Sequence, residues 1–238
     1  MEDNSLVFLS SHIALSFEKP LLSPENHYVD LNTKMKGIFG DSPDINPVPF
    51  VSNDRELLDS PVVQAVSEDG KYQLNIARGR IDFYRHATLN EIAFSDTKED
   101  FLAKALQITE ITTSSLGVKW MGFVVAYIYV NNNLKTVSHN VLNSDIVDIN
   151  PGDSNSFFAR NTNKINVGKV LSNNLIAIGS GTASKEKQEP VQGIMINQDF
   201  NTRASENIID KDFVKLYIDE SEKLIKVGEV LRILKIII

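Results

Sequence analysis

The run from Val118 to Val130 constrains the fold more than any other segment, because it is apolar on both faces of an extended chain. Trp120, Val124 and Ile128 share one face, and Phe123, Val125 and Tyr127 share the other. A strand of this kind is typical of the centre of a sheet covered on both sides. At about 13 residues, the run is too short to span a bilayer, which takes about 20 residues as a helix. It predicts a buried central strand and no membrane association.

Three short strands precede this run and predict an antiparallel meander. They cover residues 62–66, 72–76 and 81–84, and turns containing Gly70 and Gly79 separate them. Glycine supplies the positive φ that tight hairpin turns require. A capped helix from about residue 95 to 109 follows the meander. A strand at 13–17 and a helix at 28–39 come before it.

The second part of the chain repeats this order loosely. After the central strand, alternation predicts strands at 164–170, 175–180 and 191–198, with a turn at 172–174. Apolar residues at three-four spacing predict a helix from 210 to about 234. The β-branched stretch 230–238 is equally compatible with a terminal strand.

This element order predicts the α+β class, with two halves that each join an antiparallel sheet to a helix. The N-terminal half covers residues 1–115 and the C-terminal half covers 116–238. The halves are interpretable as two similar subdomains, although no residue-level repeat links them. The chain of 238 residues is long enough to bury a core without metal or disulfide support.

Three segments resemble a sporadically distributed, uncharacterised bacterial family of α+β proteins of this length. The matching segments are a strand and helix that begin at 13–22, a turn-containing segment at 66–74 and an apolar strand at 194–200 that is followed by an acidic helix from Phe213 onward. The chain departs from the family near 119–130, where Arg-rich pairing is expected and the chain reads Lys119-Trp120-Met121-Gly122. The resemblance implies an α+β fold and brings no known activity.

The residue types present exclude several kinds of chemistry. The chain has no Cys, so it has no thiolate nucleophile and no Cys-ligated zinc or iron–sulfur cluster. Its four His lack metal-ligand spacing, and the segment 178–182 fits neither a Walker nor a Rossmann loop. The many carboxylates cluster where helix capping and solvation explain them. We therefore expect no cofactor and no metal, and we favour a non-enzymatic protein, with a catalytic site assembled across the fold as the alternative.

One hairpin concentrates basic and aromatic side chains, and it is the predicted binding surface. Its candidate residues are Arg78, Arg80, Tyr84, Arg85 and His86. Surfaces of this type bind phosphate or single-stranded nucleic acid. The chain carries 24 Lys and Arg against 31 Asp and Glu, and this net charge of −7 disfavours nonspecific nucleic-acid binding. A second basic group, Arg160, Lys164 and Lys169, fits protected strand edges equally well.

The leading functional prediction is a cytoplasmic protein that binds another macromolecule in bacterial defence or phage–host conflict. The sequence is rich in Asn and Ile, whose codons are A/T-rich, and this favours a bacterial or phage origin. The apolar terminus, Ile236, Ile237 and Ile238, predicts a protein interface or self-association into an oligomer. The alternative is a binder of nucleotides or single-stranded nucleic acid that uses the Arg78–His86 hairpin.

Overall fold

The computed structural model describes residues 5–46, 55–130, 158–184, 189–202 and 209–226. In chain order the elements are β1 (Leu6–Phe17), α1 (Pro24–Lys34), β2 (Asp44–Ile45), α2 (Arg55–Asp59), β3 (Pro61–Val66), β4 (Tyr72–Ala77), β5 (Arg80–His86), α3 (Lys98–Thr113), β6 (Val118–Val130), β7 (Phe158–Val167), β8 (Val170–Ala183), β9 (Val191–Thr202) and α4 (Lys211–Glu222). A 3₁₀ turn at Phe94–Asp96 leads into α3.

These strands form one antiparallel sheet in the order β2-β3-β4-β5-β1-β6-β9-β8-β7. The first strand of the chain lies near the middle, where it pairs with β5 on one side and with β6 on the other. The α+β class is therefore confirmed, as are the meander β3-β4-β5 and the central strand at 118–130. The predicted N-terminal half supplies β1 to β5 and the C-terminal half supplies β6 to β9, and the β1–β6 ladder joins them.

The three longer helices lie on the same face of the sheet. In α3, the Phe101 ring lies 5.8 Å from Phe83 of β5 and 5.9 Å from Phe123 of β6. Gln198 of β9 donates a 3.0 Å hydrogen bond to the carbonyl of Leu224, just after α4. The helix α1 contacts β3, β4 and α3. We call this side of the sheet the helix face.

The core lies between this face and the helices. Phe83, Ile13, Phe123 and Phe200 are neighbours in register across β5, β1, β6 and β9, and all are buried. Because successive side chains of a strand point to opposite faces, the residues next to them point away from the helices. We call that opposite side the polar face.

Two local predictions are wrong. Residues 172–174 do not form a turn but lie inside β8, where Asn173 pairs with Lys164 and Asn201. The turn falls instead at Gly168, whose φ is 58°. Gly70 has the expected positive φ of 71°, but Gly79 does not, and the close approach of Asp59 explains the glycine there.

The predicted long C-terminal helix is shorter than expected and ends at Glu222. The choice between helix and strand at 230–238, and the interface candidates Ile236, Ile237 and Ile238, lie outside the described residues. None of the described helices is both long enough and apolar enough to cross a membrane.

Candidate functional site

A buried carboxylate organises the centre of the polar face. Asp82 accepts a 2.8 Å hydrogen bond at Oδ1 from Nε2 of His12 and another of 2.8 Å at Oδ2 from Nε of Arg80. Its side chain is only 3% exposed. Since an ionised carboxylate only accepts hydrogen bonds, His12 carries a proton on Nε2 and its ring is held in one orientation. The pairing with Arg80 satisfies the buried charge.

Three flat rings stand in a row beside this carboxylate. The His12 and Tyr84 rings are 4.1 Å apart and inclined by only 8°, and Tyr84 lies 6.2 Å from His86 at 4°. Burial, assisted by the charge of Asp82, raises the pKa of Tyr84 to about 12. Burial, assisted by the charge of Arg85, lowers the pKa of His86. Tyr84 and His86 are thus uncharged at neutral pH. We call His12, Tyr84 and His86 the ring row.

A cleft of about 550 Å³ opens next to His12. Its lining includes the small residues Ala14 and Gly122, together with the Trp120 ring and the side chain of Asn201. A Cβ added at Gly122 would lie 3.6 Å from Oδ1 of Asp199 and 3.7 Å from the Trp120 ring. The glycine therefore leaves open the space between a carboxylate and an aromatic ring. A cleft of this volume matches the usual size of small-ligand sites. We call it the His12 cleft.

Asp199 is the unusual group in this cleft. Its Oδ1 is buried and has no hydrogen-bond partner among the residues that the structure describes. Burial raises the pKa of this carboxyl, although a hydrogen bond from Asn201 and the nearby His12 oppose the shift. A buried acceptor without a donor is costly, and such groups are enriched at functional sites. Asp199 thus lines the cleft and has an acceptor oxygen whose hydrogen-bonding capacity the described residues leave unused.

A second, larger cleft lies toward the other end of the polar face, with a volume of about 780 Å³. Its lining includes Ser10, His86, Ala126 and Met195, and also Glu68 and Asp69 of the β3–β4 hairpin. His86, the last member of the ring row, hydrogen-bonds Oε1 of Gln73 at 3.3 Å. The ring row thus runs between the two clefts.

The structure divides the five predicted binding residues between different surroundings. Arg80, Tyr84 and His86 share the polar face, as expected of alternate residues in β5. Arg78 lies in the turn before β5 and donates hydrogen bonds to the carbonyls of Leu21 and Leu22. Its guanidinium therefore fixes the connection after β1.

Arg85 is a correction to the predicted patch. Its side chain is 4% exposed and lies on the helix face, between Glu91 and Asp100. Burial alone would lower the pKa of Arg85, but hydrogen bonds to these two carboxylates raise it. Strand alternation puts Arg85 on the side of Phe83, opposite to Tyr84. The residue anchors α3 and the preceding loop to the sheet and is not part of a binding surface.

Sequence reasoning missed His12, Trp120 and Asp199. His12 and Asp199 stand in otherwise apolar or alternating strands, where a polar residue on the outward side was the available signal; Trp120 carries no such signal. The segment around Asp199 reads Ile-Asn-Gln-Asp-Phe, in which Asn197 and Asp199 are two residues apart and share one face. Their convergence depends on the pairing β1–β6–β9, which no local pattern encodes.

The polar face also collects basic side chains from distant strands. Lys119 lines the His12 cleft together with Arg80. At the sheet edge, Arg160 and Lys164 alternate with Ile165, which packs against the core, so both point to the polar face. The carboxylates on β5, β1, β6 and β9 are Asp82, which pairs with Arg80, and Asp199, which lines the His12 cleft. Lys119, Arg160 and Lys164 are exposed cations on this face of a protein that is acidic as a whole.

Within the described ranges, no three His, Asp or Glu side chains come together as a metal site. A comparison with models of known protein families gives no match. A comparison with curated protein sequences gives none either. The resemblance to an uncharacterised bacterial family stays a prediction.

Proposed function

We propose that the protein acts by binding a macromolecule across the polar face of its sheet, and that this macromolecule is single-stranded nucleic acid. The observation that carries the proposal is the coincidence, on one face, of a ring row, two clefts and exposed cations. The proposal takes the nucleic-acid alternative of the sequence analysis and moves it from one hairpin to a surface shared by strands of both halves.

The first support is the chemistry of the ring row. Single-stranded nucleic acids bind sheet surfaces on which bases stack against flat side chains, and a positive groove follows the backbone. His12 and Tyr84 already stack on each other, so their orientation is fixed before a ligand arrives. Amide side chains on the same face, including Gln73, Asn197 and Asn201, offer both donors and acceptors to base edges.

The second support is that Lys119, Arg160 and Lys164 are exposed on the polar face, while carboxylates of the helix side are held in ion pairs. On the helix side, the carboxylates Asp219 and Glu222 pair with Lys98, and Asp100 pairs with Arg85. At physiological salt, charges are screened beyond about 8 Å, so a ligand on the polar face senses mainly the groups close to it. The net charge of −7 consequently weakens long-range attraction without preventing contact at this surface.

A protein partner is the competing proposal, together with self-association through Ile236, Ile237 and Ile238. That terminus lies outside the described residues, whereas the polar face offers flat rings and cations rather than an apolar patch. The cytoplasmic location, the setting in bacterial defence or phage–host conflict, and the two similar subdomains likewise stay predictions. None of them is needed for binding at this face.

The test is titration of a fluorescently labelled single-stranded oligonucleotide, followed by anisotropy at several salt concentrations. The test variant reverses three exposed cations of the polar face, as Lys119→Glu, Arg160→Glu and Lys164→Glu combined. We expect its affinity to fall by about tenfold or more at low salt. The slope of log K against log salt should decrease by about one for each lost phosphate contact.

The matched control reverses three exposed lysines of the helix side, as Lys34→Glu, Lys215→Glu and Lys223→Glu combined. It has the same net charge as the test variant, so long-range repulsion is equal in both. We expect the control to retain most of the affinity. Equal loss in the two variants, or no binding by the unmodified protein, would overturn the proposal, and the latter result would favour a protein partner.

A further inference from the structure

The geometry points to the His12 cleft as a pocket for a single guanine base, held by Asp199 and closed on one side by the Trp120 ring. This inference rests on the proposed function and deepens it, because it assigns a preferred base to one part of the binding surface. It also assigns a purpose to a buried carboxylate oxygen that has no hydrogen-bond partner in the described part of the chain.

Asp199 has an acceptor oxygen that lacks a hydrogen-bond donor among the described residues. This Oδ1 lies 3.6 Å from the position that a Cβ would take at Gly122, and it is buried, so the side chain has to turn toward that space to meet a ligand. The side-chain oxygen of the neighbouring Asn201 already accepts a 3.1 Å hydrogen bond from Asn173. We take a ligand in the cleft as the source of the missing donor.

Guanine is the base whose edge best supplies hydrogen-bond donors to Asp199. Guanine presents two adjacent donors, N1–H and the N2 amino group, along one edge. Adenine, cytosine and uracil place an acceptor beside each donor on the corresponding edge, and that acceptor would meet carboxylate lone pairs. A carboxylate that only accepts thus discriminates in favour of guanine.

The other residues of the His12 cleft are placed to hold the rest of a nucleotide. Trp120 lines the cleft and offers a flat face to a base, and Ala14 and Gly122 leave room for the base to lie against the sheet. Lys119 and Arg80 line the same cleft and supply positive charge for a phosphate attached to the base. In this arrangement the Trp120 ring meets the face of the base, Asp199 meets its hydrogen-bonding edge, and Lys119 and Arg80 meet the phosphate.

Trp120 is the only tryptophan of the chain, so its fluorescence reports directly on this cleft. The experiment titrates guanosine, adenosine and uridine monophosphates and inorganic phosphate into the full-length protein and follows Trp120 emission, with calorimetry as a second readout. We expect the guanine nucleotide to bind about tenfold or more tightly than the other two nucleotides. Inorganic phosphate should bind weakest and leave the emission unchanged.

Two variants separate base recognition from phosphate attraction. Asp199→Asn should remove the preference for guanine, whereas Lys119→Ala should weaken all three nucleotides to a similar extent. Asp212→Asn, at an exposed position of α4, serves as the matched control and should change neither. A guanine preference that survives Asp199→Asn would overturn the role assigned to the carboxyl.

The outcomes also separate this inference from the proposed function. Oligonucleotide binding without any nucleotide preference would overturn the guanine pocket and leave the binding surface intact. A guanine preference without oligonucleotide binding would support the pocket and overturn the macromolecular ligand. Equal affinity for all nucleotides and for phosphate would reduce the cleft to a cation cluster and overturn the inference.

Discussion

At the scale of single residues, Asp199 is a compromise between stability and binding. Its buried Oδ1 forms no hydrogen bond with the described residues, and burial raises the pKa of the carboxyl above its ordinary value of 3.8. The folded state therefore favours the protonated form more than the unfolded state does. Above the folded-state pKa, the ionised carboxylate costs the folded protein more than the unfolded chain, because it is poorly solvated.

Asp199→Asn should consequently stabilise the fold at pH 7. We expect the free energy of unfolding to rise by about 1 kcal/mol, since the variant removes a partly desolvated charge. This corresponds to about 2–4 °C in Tm for a chain of this size. Thermal melts at several pH values provide the measurement.

The sign of the pH dependence follows from the raised pKa. As the pH falls through the folded-state pKa toward 3.8, the unmodified protein takes up a proton on folding and regains this stability. The advantage of the variant should therefore shrink on acidification. A variant less stable than the unmodified protein at pH 7, or an advantage that does not change with pH, would contradict this account.

Residue-level prediction from the sequence succeeded where alternation alone was decisive. Arg80, Tyr84 and His86 are separated by even numbers of residues, and they do share one face. Arg85 does not share that face, because neighbouring residues of a strand point to opposite sides of the sheet. His12 and Asp199 are far apart in sequence, and only the ladder β1–β6–β9 brings them together. Such long-range register is not written in any single segment.

At the scale of elements, the pairing of β6 with β9 has little tolerance for added atoms. A Cβ at Gly193 would collide with the Tyr129 carbonyl oxygen and lie 2.8 Å from Cγ1 of Ile128. The backbone contact cannot relax without a shift of the ladder. This glycine is needed for close approach, since its φ lies outside the left-handed region.

Gly193→Ala should lower the free energy of unfolding by about 1–3 kcal/mol, because the β6–β9 ladder has to move apart. Gly181→Ala is the control: it lies opposite Gly193 on β8, and the atoms that its Cβ would meet belong to the flexible side chain of Met195. Chemical denaturation of the two variants measures the difference. Equal losses would show that the Tyr129 backbone is not the limiting contact.

The strand β8 shows why the element boundaries of the C-terminal half were predicted poorly. Asn173 and Asn174 favour turns as isolated residues, but in the sheet their side chains have partners. Asn173 donates to Asn201, and Asn174 accepts from Gln198, each at 3.1 Å. These cross-strand amide pairs make a strand from residues whose local preference is a turn.

At the scale of the whole molecule, the sheet is continuous across the boundary between the predicted halves. The ladder of β1 with β6 runs from Leu6–Tyr129 to Phe17–Val118, and α3 packs against α4. Most of the strands were predictable from the alternation of apolar and polar residues, whereas their order in the sheet was not. The insertion of the first strand between β5 and β6 is a property of the complete chain.

We therefore expect a single cooperative unfolding transition. Urea denaturation followed by Trp120 fluorescence, which reports on β6, should coincide with the transition seen by far-UV circular dichroism. An isolated 1–115 fragment should be much less stable than the same residues in the full chain, because it leaves one edge of β1 unpaired. Two separate transitions would instead support independent subdomains.

The central position of β1 also has a consequence for synthesis. Its partner β5 is complete once residue 86 has been made, but its other partner ends only at residue 130. At roughly 5–20 residues per second, a ribosome needs several seconds to make the stretch between them. During that interval the nascent chain carries a twelve-residue strand with one edge unoccupied, and a strand from another copy can pair with it. The order in which the strands are translated thus creates a period in which the free edge of β1 is open to pairing with other nascent copies on the same polysome.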